Sequence, residues 1–299
     1  MLYLRRLIHA ALTALVVTSP AVFAERSVTS HQRPAFSQVR PKVTDLAKDV
    51  APVSNLATIP RGGKAEAVSK SFVSQSASVI MGLILALNSG LINGCALSGV
   101  VTADGSSQAV AAVTASWTNS ALGLASGNLA KFGFLSKVIG SFIFGSFIAG
   151  YLQPKPSPFL ISTSSYGAPL TIAALATVLS KVCLEDKSLI KIGFYLLCVA
   201  NGINNSITSS MTSNLCRTSH FTGISSDMGT FLGQILRGNT ANLFKLKVFA
   251  ALAASFWAGG FLSFELTKAY GASSLYVSAA IYLFMAVGYE KLAKSIFSE

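Results

Sequence analysis

One acidic side chain, Asp227, stands alone in the apolar stretch that runs from Thr218 to Leu236. An ionised carboxylate at membrane depth is costly unless it is paired or hydrated. His220 lies seven positions before Asp227, two turns along the same face if the segment is helical, and Arg217 lies about one turn further back. The spacing predicts a line of ionisable groups that faces a cavity and handles protons or cations. The alternative is that all three lie near the membrane surface, where they need only be solvated.

Asparagines form a second group of candidate functional residues. Asn93, Asn204 and Asn205 close long uncharged stretches, and Asn88 lies just over one turn before Asn93. Amides in a lipid environment must find hydrogen-bond partners, so they either line a substrate path or tie helices together. The sequence leaves both interpretations open.

Thr222 and Gly223 open a short segment whose backbone N–H groups would point inward if it is a half-helix. Such an N-terminus attracts anions or carboxylates, although a turn in which Gly relieves strain is the simpler interpretation. The predicted substrate-binding residues are Asn93, Thr118, Asn204, Asn205, His220, Thr222, Gly223 and Asp227. We find no defensible nucleophile, metal-ligand spacing or nucleotide-binding loop, and we expect neither an enzyme nor a bound metal or cofactor.

The elements that position these residues follow from the scarcity of charge. Hydrophobic residues make up 52% of the 299 and charged residues only 11%, against about 25% charged in a soluble domain. Six uncharged runs predict six membrane-spanning helices: Ser71–Ala103, Val138–Pro154, Pro156–Ser180, Ile192–Cys216, Val248–Phe264 and Ala269–Tyr289. Two short stretches rich in Gly, Ser and Thr, Trp117–Ala130 and Phe221–Leu236, are typical of half-helices or re-entrant segments. The predicted fold class is an all-α membrane protein.

The helices are predicted to form two related halves, residues 76–183 and 190–295. Short landmarks recur in the same order: Gly90-Leu-Ile-Asn93 against Gly202-Ile-Asn-Asn205, Ser116-Trp-Thr-Asn119 against His220-Phe-Thr-Gly223, and Ser141-Phe-Ile-Phe-Gly145 against Ser255-Phe-Trp-Ala-Gly259. With three spans in each half, the second must enter the membrane from the opposite face, an inverted topology that is frequent in secondary transporters. Glycines at 140, 145, 150 and 259–260 are predicted to allow close helix contact.

The N-terminal region has a different composition. Arg5 and Arg6 precede an apolar run from Leu7 to Ala24, which predicts a signal peptide at 1–24, with an uncleaved anchor as the alternative. Residues 25–75 are basic and rich in Ser and Pro, which is typical of a disordered tail or of a transit-like segment. We therefore expect the protein to reach its membrane through the secretory pathway, and a plastid membrane is one candidate destination.

The charge distribution limits the partners. The net charge is +12, but no basic stripe lies on a soluble face, so we expect a lipid bilayer and no nucleic acid. Lys and Arg near the spans number ten on the side of the first helix's N-terminus and six on the other, which favours both ends inside. A cleaved signal peptide would instead place the N-terminus in the lumen, so the orientation stays open.

Several of these residues also resemble a known family. Gly202-Ile-Asn-Asn205, Thr218-Ser-His220-Phe-Thr222-Gly223 and Gly229-x-x-Leu-Gly233 resemble the second signature of the YoaK family, domain of unknown function 1275. Gly90, Asn93 and Thr118 resemble its first signature. This sequence departs from that signature at Asn119, where the family usually has Gly. The resemblance covers about residues 75–295 and implies six membrane helices with no established activity.

The sequence favours a transporter or channel for a small solute, an ion or protons, with its site between the two halves. The alternative is a membrane scaffold or assembly factor that transports nothing. A membrane-embedded enzyme is a third class, which only the proximity of His220 and Asp227 supports.

Overall fold

The computed structural model of the protein describes residues 72–297. The predicted signal peptide and nearly all of the basic segment lie outside these residues. Within them the fold is all-α apart from one pair of two-residue strands, which confirms the helical class. In chain order the elements are β1 (Phe72–Val73), α1 (Gln75–Leu97), α2 (Thr114–Ala125), α3 (Leu129–Leu152), β2 (Leu160–Ile161), α4 (Thr163–Glu185), α5 (Ile190–Met211), α6 (Phe221–Leu236), α7 (Leu243–Tyr270), a 3₁₀ turn (Gly271–Ser274), α8 (Leu275–Val287) and α9 (Tyr289–Phe297).

The predicted uncharged runs overlap helices. Each of the six overlaps one of α1, α3, α4, α5, α7 and α8, and the two short stretches overlap α2 and α6. Four segments of the described chain are long and apolar enough to cross a membrane, namely Gln75–Leu97, Leu129–Leu152, Thr163–Glu185 and Leu243–Val287. The last of them includes both α7 and α8.

Local sequence sets the helix ends. Ser74 begins α1, because its hydroxyl accepts the N–H of Ala77 at 3.2 Å. Asn128 begins α3 in the same way, with its side-chain oxygen 2.9 Å from the N–H of Lys131. Pro154 follows the last turn of α3 and cannot continue it.

The inner helices are α1, α4, α5 and α8. In the most apolar window of α1, 67% of residues are buried, against 28% for α3 and for the segment that contains α7. Helix α1 packs against α7 and α5 packs against α3, whereas α4 contacts both α5 and α8. The short helices lie outside this core, α2 against α3 and α6 against α7.

Glycines let the two principal helix pairs approach closely. At four of them an added Cβ would collide with a backbone carbonyl oxygen of the facing helix: Gly90 with Phe256 and Gly259 with Leu87 between α1 and α7, and Gly202 with Phe142 and Gly145 with Val199 between α5 and α3. Such backbone contact is available only to glycine and gives tight helix association in a membrane.

The sequence-based prediction for the other glycines is wrong in two places. A Cβ on Gly140 or on Gly150 would meet no atom within 4 Å, and both residues are exposed. They share α3 with Gly145 but lie on a different face, because five residues turn a helix by about 500°, well short of a whole number of turns. Spacing along the chain did not reveal which glycine faces the partner.

The N-terminus of α4 is capped from a distant part of the chain. Glu290, on α9, accepts hydrogen bonds from the N–H and the hydroxyl of Thr163 at 2.7 and 2.8 Å and from Lys294 Nζ at 2.6 Å. The preceding residue, Ser162, makes no side-chain cap bond of its own. Partial burial raises the pKa of Glu290, but the hydrogen bonds from Lys294 and Thr163 outweigh it and hold this pKa below its usual value.

Replacing Glu290 by Gln is expected to lower the free energy of unfolding by about 1 kcal/mol, the usual effect of losing a cap. Because the pKa of the folded state is depressed, the carboxylate stabilises the protein above the unfolded-state pKa of about 4.3 and ceases to do so as the pH falls through the folded value. Unfolding followed in detergent at neutral and acidic pH measures both effects. Glu265→Gln is the control, since the exposed Glu265 accepts no hydrogen bond from the described residues; an equal loss there would contradict the cap.

Candidate functional site

Six polar side chains from three helices meet inside the bundle. Each is 1% exposed or less, and none carries a charge. We call this group the central polar cluster: Asn88 and Ser89 on α1, Asn201 and Asn204 on α5, and Ser278 and Tyr282 on α8. Burial of amides and hydroxyls is costly without hydrogen bonds, so the partners of each group decide what the cluster can do.

Most of the hydrogen bonds in the central polar cluster join different helices. Ser278 Oγ donates to Asn88 Oδ1 at 2.5 Å, and Asn88 Nδ2 donates to the carbonyl of Ser278 at 3.3 Å. Ser89 Oγ donates to Asn201 Oδ1 at 2.8 Å, which joins α1 to α5. These bonds satisfy the buried groups and hold α1, α5 and α8 in register.

Asn204 is the group whose hydrogen bonds are incomplete. Its Nδ2 donates to the carbonyl of Leu85 at 2.9 Å, but its Oδ1 is buried and has no hydrogen-bond partner among the described residues. The Tyr282 hydroxyl lies within reach of the Asn204 and Asn88 side chains, and its contact with the carbonyl of Ala200 is long, at 3.5 Å. A buried acceptor without a donor costs about 1–3 kcal/mol. A ligand with an N–H or O–H group would remove that cost.

Helix α6 has the geometry of a half-helix. The ring of Phe221 packs 4.2 Å from that of Phe256, the midpoint of the 28-residue α7, and Phe231 packs 6.0 Å from Phe249. The two helices are therefore antiparallel here, and α6 begins half-way along α7. It ends at Leu236, close to the beginning of α7 in the chain.

Helix α2 is placed similarly against α3. Ser120 Oγ lies 3.1 Å from Ser136 Oγ, and Lys131 Nζ donates to Asn119 Oδ1 at 3.3 Å. The end of α2 lies near the beginning of α3, where the backbone of Gly123 approaches that of Phe132. The beginning of α2 therefore lies further along α3, toward its middle.

Asn93 and Asn205 hold the chain segments that lead into these short helices. Asn93 Oδ1 accepts the N–H groups of Val110 and Ala111, each at 3.0 Å. Asn205 Oδ1 accepts the N–H of Ser219 at 3.2 Å. Both side chains thus fix the backbone of the segments that lead into the short helices.

The structure does not gather the predicted substrate-binding residues at one place. Asn204 belongs to the central polar cluster, and α5 continues beyond it to Met211, so that Asn204 and Asn205 lie within the helix and do not close it. The remaining predicted residues lie on the short helices: Thr118 exposed on α2, His220 exposed at the N-cap of α6, Thr222 and Asp227 exposed on α6, and Gly223 half-buried beside the His220 ring.

The predicted helical line of Arg217, His220 and Asp227 is wrong in its geometry. Residues 212–220 are not helical, and α6 begins only at Phe221. Arg217 therefore lies in the preceding turn, and only Asp227 lies within the helix. Asp227 takes part in neither of the ion pairs found among the described residues.

Two pockets lie away from the central polar cluster. One of about 230 Å³ is lined by Leu152–Ser157, Leu160, Ser164, Ser165 and Met211, and one of about 260 Å³ by Gln108, Ala109, Ala115, Ser116, Asn119, Lys131 and Leu135. Neither is lined by His220 or Asp227. Within residues 72–297, no group of three His, Cys, Asp or Glu side chains is placed to hold a metal ion.

Residues 81–288, more than two thirds of the chain, match the family described as Protein of unknown function (DUF1275). The chain belongs to this family. The DUF1275 match begins within α1 and ends just after α8, so it contains every residue of the central polar cluster. No curated protein and no solved structure matches the chain.

Sequence reasoning missed most of the central polar cluster in this DUF1275 chain. Ser89, Asn201, Ser278 and Tyr282 were not among the predicted residues, and Asn88 was noted only as a neighbour of Asn93. A helical signal was present: Asn201 and Asn204 are three apart on α5, and Ser278 and Tyr282 are four apart on α8. Polar residues at these spacings share one helix face, and on an apolar helix that face turns inward.

Proposed function

We propose that this DUF1275 chain is a six-span membrane transporter or channel for a small, uncharged, hydrogen-bonding solute, with its site at the central polar cluster between two inverted repeats. The observation that carries the proposal is the set of buried neutral polar groups in which Asn204 Oδ1 has no donor. Polar residues in membrane helices that face the bundle interior are typical of a solute path.

The crossing glycines support the repeat. Gly90 of α1 and Gly202 of α5 occupy the same position in the two helix pairs, and they are separated by the same 112 residues that separate Ser89 from Asn201. Ser89 and Asn201 bond to each other, and equivalent residues in contact lie on a two-fold axis. This axis therefore passes through the central polar cluster, where inverted-repeat transporters hold their substrates.

The same register pairs Asn93 with Asn205. The structural roles agree with this pairing, because both asparagine side chains accept N–H groups from the segment before a short helix. Each repeat then contains a long helix, a half-helix and two further helices. Six crossings follow if α5, 22 residues long, and α8 also cross the membrane.

The outer face of α6 supports an aqueous entry. Ser225, Ser226 and Asp227 are exposed on this helix, which begins at the middle of α7. A carboxylate between hydroxyl groups is costly against lipid, so this face borders water down to the depth of Phe221. We call this aqueous entry along α6 the vestibule. It ends beside Asn205, and the preceding residue, Asn204, belongs to the central polar cluster.

Replacing Asp227 by Cys is expected to give a thiol that reacts rapidly with a membrane-impermeant methanethiosulfonate reagent, because only water reaches that face. The assay uses a Cys183→Ser background, since the other native cysteines are buried. Ile143→Cys is the matched control, as Ile143 is 55% exposed on α3 at mid-helix but faces lipid. Equal modification rates at the two positions would contradict the vestibule.

The chemistry of the cluster favours a neutral solute. Its groups are amides and hydroxyls with no counter-charge, and an unpaired ion in a buried site carries a large desolvation cost. A molecule with hydroxyl or amide groups can exchange its water for these donors and acceptors.

Protein reconstituted in liposomes and screened with neutral polyols, amides and simple ions is expected to pass members of the first two classes. Ion flux without neutral-solute flux would refute this class.

A scaffold or assembly factor is the second candidate. The observation that favours it is the dense network at the cluster, since four crossing glycines and interhelical bonds can serve packing alone. It predicts a partner that co-purifies with the protein in stable proportion and no solute flux in liposomes. Flux at a rate above protein-free liposomes excludes it.

A further inference from the structure

A pocket of about 230 Å³ lies at one end of the bundle, where α3 ends and α4 begins. Its polar lining consists of Gln153, Lys155, Ser157, Ser164 and Ser165. The apolar span of α3 ends at Leu152, so the pocket lies where lipid headgroups meet the protein.

The loop that carries Lys155 is held in place. Lys155 stands between Pro154 and Pro156, and a residue before proline is restricted to extended conformations. Further along, the N–H of Phe159 donates to the carbonyl of Met211 at 2.7 Å, and the carbonyl of Phe159 accepts the N–H of Ser74 at 2.9 Å. The ammonium group is exposed and has no ion-pair partner among the described residues.

Gln153 adds an amide to the pocket. The residue is only 8% exposed, and its side chain makes no hydrogen bond to any described residue. Its amide is not one of the fully buried groups without a partner, so it reaches the open space of the pocket that Gln153 lines. An amide in this position can donate to a ligand.

An aromatic stripe leads from the pocket down the outer face of α3. The rings of Phe144, Phe147 and Tyr151 are stacked in succession, with centroids 6.3 and 5.9 Å apart, and they are 54%, 61% and 75% exposed. This apolar surface begins at Tyr151, shortly before Lys155 at the end of the span. An exposed apolar surface in that position fits an acyl chain.

We propose that this pocket binds the headgroup of an anionic phospholipid, with one acyl chain along Phe144, Phe147 and Tyr151. Lys155 supplies the charge, the Gln153 amide and the Ser165 hydroxyl donate to the phosphate oxygens, and the proline-flanked loop keeps the site formed before binding. Basic pockets at helix ends are a general mode of lipid-headgroup recognition.

Native mass spectrometry of the detergent-purified chain tests the proposal, with phosphatidylglycerol, phosphatidylcholine and inorganic phosphate as probes. Phosphatidylglycerol is expected to bind more tightly than phosphatidylcholine, and Lys155→Gln to weaken it about tenfold, the effect of losing one charged hydrogen bond. Lys268→Gln is the matched control, because Lys268 also ends a span below stacked exposed aromatics, Trp257 and Phe261, but borders neither pocket.

An unchanged affinity in Lys155→Gln, or an equal loss in Lys268→Gln, would overturn the site. Displacement of the lipid by inorganic phosphate at similar concentration would show that the pocket takes a soluble phosphate, and would overturn the lipid assignment. Gln153→Leu is expected to reduce phosphatidylglycerol binding without lowering the unfolding temperature, since the amide that it removes makes no hydrogen bond to any described residue.

Discussion

Gly259→Ala is expected to destabilise the protein by about 3 kcal/mol, at the upper end of the cost of overpacking a well-packed interior. The new Cβ would collide with the carbonyl oxygen of Leu87, a backbone atom that cannot move away without displacing α1. Gly145→Ala should have a similar effect, because its Cβ would collide with the carbonyl of Val199 on α5. Thermal unfolding in detergent or in nanodiscs measures both changes.

Gly140→Ala is the matched control on α3. No atom lies within 4 Å of a Cβ at Gly140, so the substitution should leave stability unchanged or raise it by up to about 1 kcal/mol through helix propensity. If all three alanine variants unfolded at the same temperature, the glycine contacts would not be what holds the helix pairs together.

Asn204→Leu is expected to reduce solute flux in liposomes about a hundredfold. It removes the free acceptor of the central polar cluster, and a buried hydrogen bond lost to substrate costs about 2–3 kcal/mol, which corresponds to this factor. Stability should change little. Leucine is close to asparagine in volume, and the lost hydrogen bond to the carbonyl of Leu85 is offset by removal of the buried oxygen that has no donor. Tracer uptake and the unfolding temperature, measured on the same preparation, separate the two effects.

Two further variants complete this test. Asn239→Leu changes an exposed asparagine in the turn before α7, whose side-chain oxygen accepts the N–H of Ala241 at 3.1 Å, and it should transport normally. Ser89→Ala removes a single hydroxyl from the cluster and is expected to give an intermediate loss. Normal flux in Asn204→Leu would show that the solute passes elsewhere.

The sequence predicted where the six long apolar helices lie because charge is scarce in them, but not their ends: α3 begins at Leu129, nine residues before its uncharged run. Long uncharged runs cannot be exposed to water, whichever neighbours they pack against. Their positions alone therefore predicted α1, α3, α4, α5, α7 and α8. The short helices were also predicted, since Gly, Ser and Thr replace apolar residues there. These signals are local, and each helix carries its own.

The partners of those helices could not be predicted in the same way. Gly145 contacts α5 whereas Gly140 faces outward, and the difference depends on how α3 is rotated against its neighbour. The cap of α4 by Glu290 joins residues 127 positions apart, beyond the reach of any local pattern. Asp227 drew attention because it is isolated in the sequence, yet the groups buried in the structure are neutral asparagines that composition does not distinguish from surface residues.

The opposite threading of the two repeats is the claim on which the proposed function depends, and the sidedness of equivalent turns tests it most directly. Ser126 lies between α2 and α3, Asn239 lies between α6 and α7, and both are exposed. Single cysteines at these positions in a Cys183→Ser background can be labelled with an impermeant maleimide in intact and in opened vesicles of one orientation. Opposite threading predicts that the two turns react from opposite faces of the membrane, and labelling of both from the same face would contradict it.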